Sequence, residues 1–195
     1  FRQFDGLKIV VDSSFIKQNA SSCYFFYEFQ QLIMNTNKEK TRILDKKTAL
    51  LKAESWCAYQ ERSQQETRNK LYDWGLYPAD VEDIITTLIL TNFLSEERFA
   101  FAYVSGKVNI KKWGKIKVKQ GLKLKKVPDK LIQKALNNVD YDLYLQNLQQ
   151  LAEKKLAILT EKNPLKRKYK LNTYLLSKGY EIDSINEVLK TNELY

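Results

Sequence analysis

The feature that most constrains this chain is a repeat. Set on the pairs Gly75-Leu76, Lys126-Val127 and Gly179-Tyr180, successive copies stand 51 and 53 residues apart. Four residues before each pair lies a leucine (Leu71, Leu122, Leu175), and six after its first member lies a β-branched aliphatic (Val81, Ile132, Ile185). Nine and ten after come Ile84-Ile85, Ala135-Leu136 and Val188-Leu189. Matched apolar columns at this period mark an array of similar small units, each burying its apolar face against the next.

Each copy reads as three helices. Ser63-Gln64-Gln65-Glu66 is a capping box, in which the serine oxygen takes an orphan N–H and the glutamate reaches back. Ser95 followed by Glu96-Glu97 places a cap and two acids where a helix dipole favours them. Asn163 precedes Pro164 in the order of a cap and a first helical residue. Gly75 and Gly179 fit the left-handed stop after a helix; Lys126 holds that register in the middle copy, with Pro128 opening the third helix. Six glycines and three prolines in 195 residues are too few for the turns of an all-β fold. The expected fold is all-α: a tandem array of three three-helix, helix-turn-helix-like repeats at 46–91, 95–139 and 141–191, elongated and curved. Such an array offers an extended surface rather than a deep pocket.

Residues 1–33 read differently. They hold eight aromatic residues and no net charge, and Met34, the single methionine, follows them. They are taken as an extension outside the array, non-native (an upstream read-through) or poorly packed, with Met34 as a candidate start. The other reading is a genuine extension with Leu7-Lys8-Ile9-Val10-Val11 as a strand.

Charge is the second strong signal. From Arg98 to Pro128 there is no acid, and Arg98 with nine lysines gives +10, equal to the net charge of the whole chain. A charge held in one segment attracts polyanions or an acidic protein face. The candidate binding residues are Arg98, Lys107, Lys111, Lys112, Lys115, Lys119, Lys123 and Lys126. The four-residue steps from Lys111 through Lys123 place lysines on one side of a helix, with Val118 and Leu122 opposite. Arg98, following Glu96 and Glu97, reaches either an acid on a neighbouring helix or a partner, and Arg62 shares that ambiguity. A secondary cluster lies at Lys166, Arg167, Lys168 and Lys170. Trp113, among lysines, reads as a filler between helices or as a platform for an exposed base; Trp56 and Trp74 read as core.

Chemistry is sparse. With no histidine, His-based catalysis and His-ligated metal are removed. Cys23 and Cys57 form no CxxC pair, and no glycine-rich phosphate loop occurs. No catalytic residue, metal or cofactor is expected, nor an enzyme. No apolar run approaches a membrane span, so the expected compartment is the cytoplasm.

One family combines these features. Phe93-Leu94-Ser95-Glu96-Glu97-Arg98-Phe99-Ala100, then Lys112-Trp113-Gly114-Lys115-Ile116-Lys117 and Leu122 to Pro128, together with Glu61-Arg62-Ser63-Gln64-Gln65-Glu66, Lys70-Leu71 and Trp74-Gly75, resemble the bacterial RecX regulatory proteins. The likeness covers roughly Lys46 to Lys190, is closest in the middle unit and weakest in the third; Ser95 stands where the family often has Asp. It implies a monomeric, non-catalytic modulator that lies in the groove of a RecA–single-stranded DNA filament, restrains its ATPase and strand exchange, and so bears on recombination, DNA repair and the SOS response. Direct DNA binding of helix-turn-helix type, to single strands or duplex through phosphates, is the alternative reading, and a plain scaffold for an acidic protein the third.

Overall fold

The structure, a computed structural model, describes residues 44–191. The readings made for residues 1–33 and for Cys23 therefore lie outside the described residues. Nine α-helices follow one another among those described, with no strand: α1 (Lys46–Tyr59), α2 (Gln64–Asp73), α3 (Pro78–Leu90), α4 (Glu96–Ser105), α5 (Lys115–Leu124), α6 (Asp129–Asn137), α7 (Tyr141–Ile158), α8 (Pro164–Ser177) and α9 (Ile182–Thr191). A π-helical turn, Gly106–Ile110, extends α4. Within each successive trio every helix packs on the other two.

The caps expected from sequence start these helices. Ser63 Oγ accepts from Glu66 N while the Glu66 carboxylate accepts from Ser63 N, closing the capping box of α2. Ser95 accepts from Arg98 N at the start of α4, and Asn163 from Lys166 N at the start of α8.

The second helix of each trio ends the same way, and this ending explains the repeat. Gly75, Lys126 and Gly179 all take the left-handed conformation, with φ of 83°, 58° and 89°. The following amide reaches back five residues to the column leucine: Leu76 N to Leu71 O (3.3 Å), Val127 N to Leu122 O (3.2 Å) and Tyr180 N to Leu175 O (3.4 Å). This is the Schellman motif, which satisfies orphan carbonyls and turns the chain into the next helix. Leu71, Leu122 and Leu175 are fully buried, so the column that sets the hydrogen bond also anchors the core.

The packing is unequal along the array. Repeat 1 closes its own core from Ala49, Ala53, Cys57, Leu71, Leu76, Val81, Ile84, Ile85, Leu88 and Leu94. Repeats 2 and 3 share one continuous core, from Phe99 through Val118, Leu122 and Ile132 to Tyr144, Leu175, Tyr180 and Leu189. At their junction the two backbones meet. Gly114 N donates to Lys178 O (2.9 Å), Ile116 N to Gly179 O (3.1 Å) and Lys115 N to the Tyr144 hydroxyl (3.1 Å). The first turn of α5 is thus capped by repeat 3. A Cβ on Gly114 would stand 2.1 Å from the Gly179 carbonyl carbon, so only glycine fits.

Two substitutions test this account by thermal unfolding. Lys126→Gly relieves a left-handed non-glycine residue and is expected to stabilise by about 1 kcal/mol, roughly 2–4 °C in Tm. Gly114→Ala forces the junction apart and is expected to cost about 2 kcal/mol or more.

Candidate functional site

α5 aims the basic segment. Val118 and Leu122 are fully buried; Lys115 and Lys119 flank that buried line and are half-buried, while Lys123 is exposed on the outer side with Ile116, Gln120 and Leu124. The lysine face is shorter than the spacing implies. Lys111 follows the π-helical turn and Lys126 lies beyond the end of α5, so neither belongs to that helix, though both are exposed.

The chain's own acids take up part of the charge. Arg98 Nε donates to Glu61 Oε1 (2.7 Å), and its other nitrogens donate to Asn92 Oδ1 (2.6 Å) and Asn92 O (2.8 Å). Lys125 pairs with Glu66, and Lys123 lies 3.4 Å from Asp129. Of the sequence-chosen cations, Arg98 thus serves the joint between repeats 1 and 2. Lys112, in the left-handed region at φ 53°, donates to the buried side chain of Asn147. Lys107 lies over the rings of Tyr103 and Trp113. Lys115 lies over Tyr141 and Tyr144. Lys115 and Lys119 line one shallow cavity of about 260 Å³ with Ile116, Gln133, Leu136, Asn137 and Glu181. Glu181 accepts from the Tyr144 hydroxyl (2.6 Å), and burial with this bond pushes the phenol far above its usual range.

In the secondary cluster, all on α8, Lys166 and Lys168 are exposed, Lys170 pairs with Glu161 at 2.8 Å, and Arg167 donates to Leu156 O at 3.2 Å. Arg62 stacks its guanidinium 4.4 Å from the Trp56 ring centroid. The three tryptophans pack partly buried against the cores.

Sequence reasoning did not find the acids that meet the basic unit. Glu61 and Glu66 belong to repeat 1, and only the tertiary fold carries them to Arg98 and Lys125. Glu96 makes the reverse contact, its carboxylate accepting from Gln64 N (2.6 Å) at the first turn of α2. Among the described residues no group of three or more His, Cys, Asp or Glu side chains is placed to hold a metal, and no helix is long and apolar enough to cross a membrane.

Fold and surface together define a helical-repeat protein whose central unit is its basic one. Models of the second and third three-helix domains of RecX match residues 95–136 and 142–189. The regulatory protein RecX of Prosthecochloris aestuarii is 31% identical over 145 residues, covering 74% of this chain and 93% of the relative. That of Clostridium acetobutylicum is 32% identical over 133 residues, 66% of this chain. The chain spans 61% of that second relative's length. The crystal structure of RecX from Lactobacillus salivarius shares the fold with a TM-score of 0.69 at 24% identity, over 77% of this chain and 98% of that one. The chain belongs to the RecX family of regulatory proteins.

Glu96 provides a pH test of the joint. Burial, and to a lesser degree the nearby Glu66, raises its carboxyl above the ordinary 4.5, although Gln64 N and Arg68 oppose this. The folded state therefore binds this proton more tightly than the unfolded one, and stability falls as pH rises through the window just above 4.5. Glu96→Gln keeps an oxygen for Gln64 N and removes the charge. Melting followed by circular dichroism is expected to show the variant at least as stable as the parent at neutral pH, with the difference closing as pH falls below that window.

Proposed function

We propose that this protein binds the RecA–single-stranded DNA filament and restrains its ATPase and recombinase activity, and so regulates recombination and DNA repair, acting as a cytoplasmic monomer without catalysis of its own. The observation that carries this reading is the acid-free stretch at 98–128, in which Lys111, Lys123 and Lys126 are exposed and Lys115 and Lys119 line a shallow cavity beside them. The likeness to RecX proteins points the surface at a filament rather than at free DNA. The mechanism is steric and electrostatic: the array occupies the filament groove and the basic unit anchors it. Lys115 and Lys119 contribute from the side of α5, and Lys107 and Lys112, held in the fold by aromatic rings and by Asn147, add their charge from the preceding turn.

Direct duplex binding through α5 is the second reading. It is favoured by the position of α5 as the basic second helix of a three-helix unit, the geometry that enters a groove in helix-turn-helix proteins.

Filament binding is tested by RecA's DNA-dependent ATPase at substoichiometric ratios of this protein. Inhibition is expected, weakening steeply with added salt if phosphates are among the contacts. The triple variant Lys111→Glu, Lys119→Glu, Lys126→Glu reverses cations that make no ion pair among the described residues and is expected to lose about tenfold or more in potency at unchanged Tm. Full potency in the triple variant rules out the basic unit as the anchor. Unchanged ATPase together with tight duplex binding in gel shifts selects the second reading.

A further inference from the structure

Two lysines of the basic stretch, Lys107 and Lys117, and two of repeat 3, Lys155 and Lys178, surround two aromatic rings across the joint of repeats 2 and 3. Lys107 Nζ and Lys117 Nζ each stand 4.8 Å from the Trp113 ring centroid. Lys155 Nζ and Lys178 Nζ stand 5.0 and 5.3 Å from that of Tyr174. The backbone joins the two groups: Gly114 N donates to Lys178 O at 2.9 Å, and Lys117 Nζ donates to Ser177 O at 3.4 Å. Both rings pack against the shared core and are only partly buried. Lys117 leaves α5 about 160–200° around from Lys115 and Lys119, so this strip lies on another side of the helix from the cavity those two line.

We propose that Lys107, Trp113, Lys117, Lys178, Tyr174 and Lys155 form a stacking site for unpaired bases of single-stranded nucleic acid. Among the described residues none of these four lysines is in an ion pair with a carboxylate. Two ammonium groups lie near each ring and repel one another; beyond the ring, Lys107 has the Tyr103 ring and Lys117 the Ser177 carbonyl, and none of the four has a carboxylate among the described residues. A ring is a weaker partner than a phosphate for a lysine, and a base stacks on its face as well as a cation does. An incoming single strand exchanges both at once: phosphates draw the lysines away, and bases take the rings they leave. A duplex keeps its base faces covered and cannot complete the exchange. An acidic protein satisfies the lysines and leaves the rings bare. The inference rests on the proposed function only in taking DNA as one component of the partner.

The test compares two strands of equal charge, an oligothymidine of about 15 nucleotides and an abasic strand of the same length, binding the full chain at one salt concentration. The thymidine strand is expected to bind about tenfold more tightly. In a Trp56→Phe, Trp74→Phe background, where Trp113 is the only tryptophan, it is expected to quench the fluorescence that the abasic strand leaves unchanged. Tyr174→Leu is expected to shrink the preference for thymidine without changing abasic binding. Lys107→Gln with Lys117→Gln is expected to weaken binding of both strands. Equal affinity for the two strands without quenching overturns the stacking site and leaves a phosphate-only surface. Binding of neither strand also overturns it, and if the filament ATPase is still inhibited the proposed function survives that loss.

Discussion

The contact on which the rest depends is the meeting of two backbones at Gly114 and Gly179. Three groups of repeat 3, the Lys178 and Gly179 carbonyls and the Tyr144 hydroxyl, accept the first amides of α5. A helix start without such acceptors leaves orphan donors in a half-buried place. The helix that carries Lys115, Lys119 and Lys123 therefore takes its direction from the next repeat. The same joint fixes Trp113 beside Gly114 and Lys178 beside Tyr174, so both candidate surfaces inherit their geometry from it.

The joint between repeats 1 and 2 is built from other materials. Arg98 with Glu61, Lys125 with Glu66 and the Glu96 carboxylate on Gln64 N are polar contacts of half-buried groups. Exposed ion pairs are worth little, and buried ones lose much of their attraction to desolvation. These contacts specify how the units meet more than they add stability. They also redistribute charge. Read as a string, 98–128 carries every excess positive charge; folded, two of its cations face carboxylates of repeat 1.

Much of the fold was legible because its signals are local. Capping serines and asparagines, the column leucines and the left-handed stops act within six residues of one another. Even Lys126 in a glycine's place was readable, since only the register was needed. The extent of the lysine face was less so, because a four-residue spacing runs past helix ends without marking them. The stop after α5 comes at Leu124, and the chain before Gly114 turns through a π-helical segment that no lysine spacing announces. The partners of Arg98 and Lys125, and the pairing of Lys155 and Lys178 around Tyr174, were out of reach. They join residues 59, 37 or 23 positions apart through packing that no short motif encodes.

The unequal cores bear on how the chain emerges during synthesis. Repeat 1 holds a closed core of its own by Leu94 and can bury its apolar residues as soon as they clear the ribosome. Repeat 2 completes its packing later, because its buried residues continue into Tyr144, Leu175 and Tyr180, and the first turn of its basic helix awaits acceptors at 178 and 179. At about 5–20 residues per second that wait lasts several seconds. During this interval the most positively charged part of the protein lacks the acceptors that fix its basic helix, while the third unit is still being made.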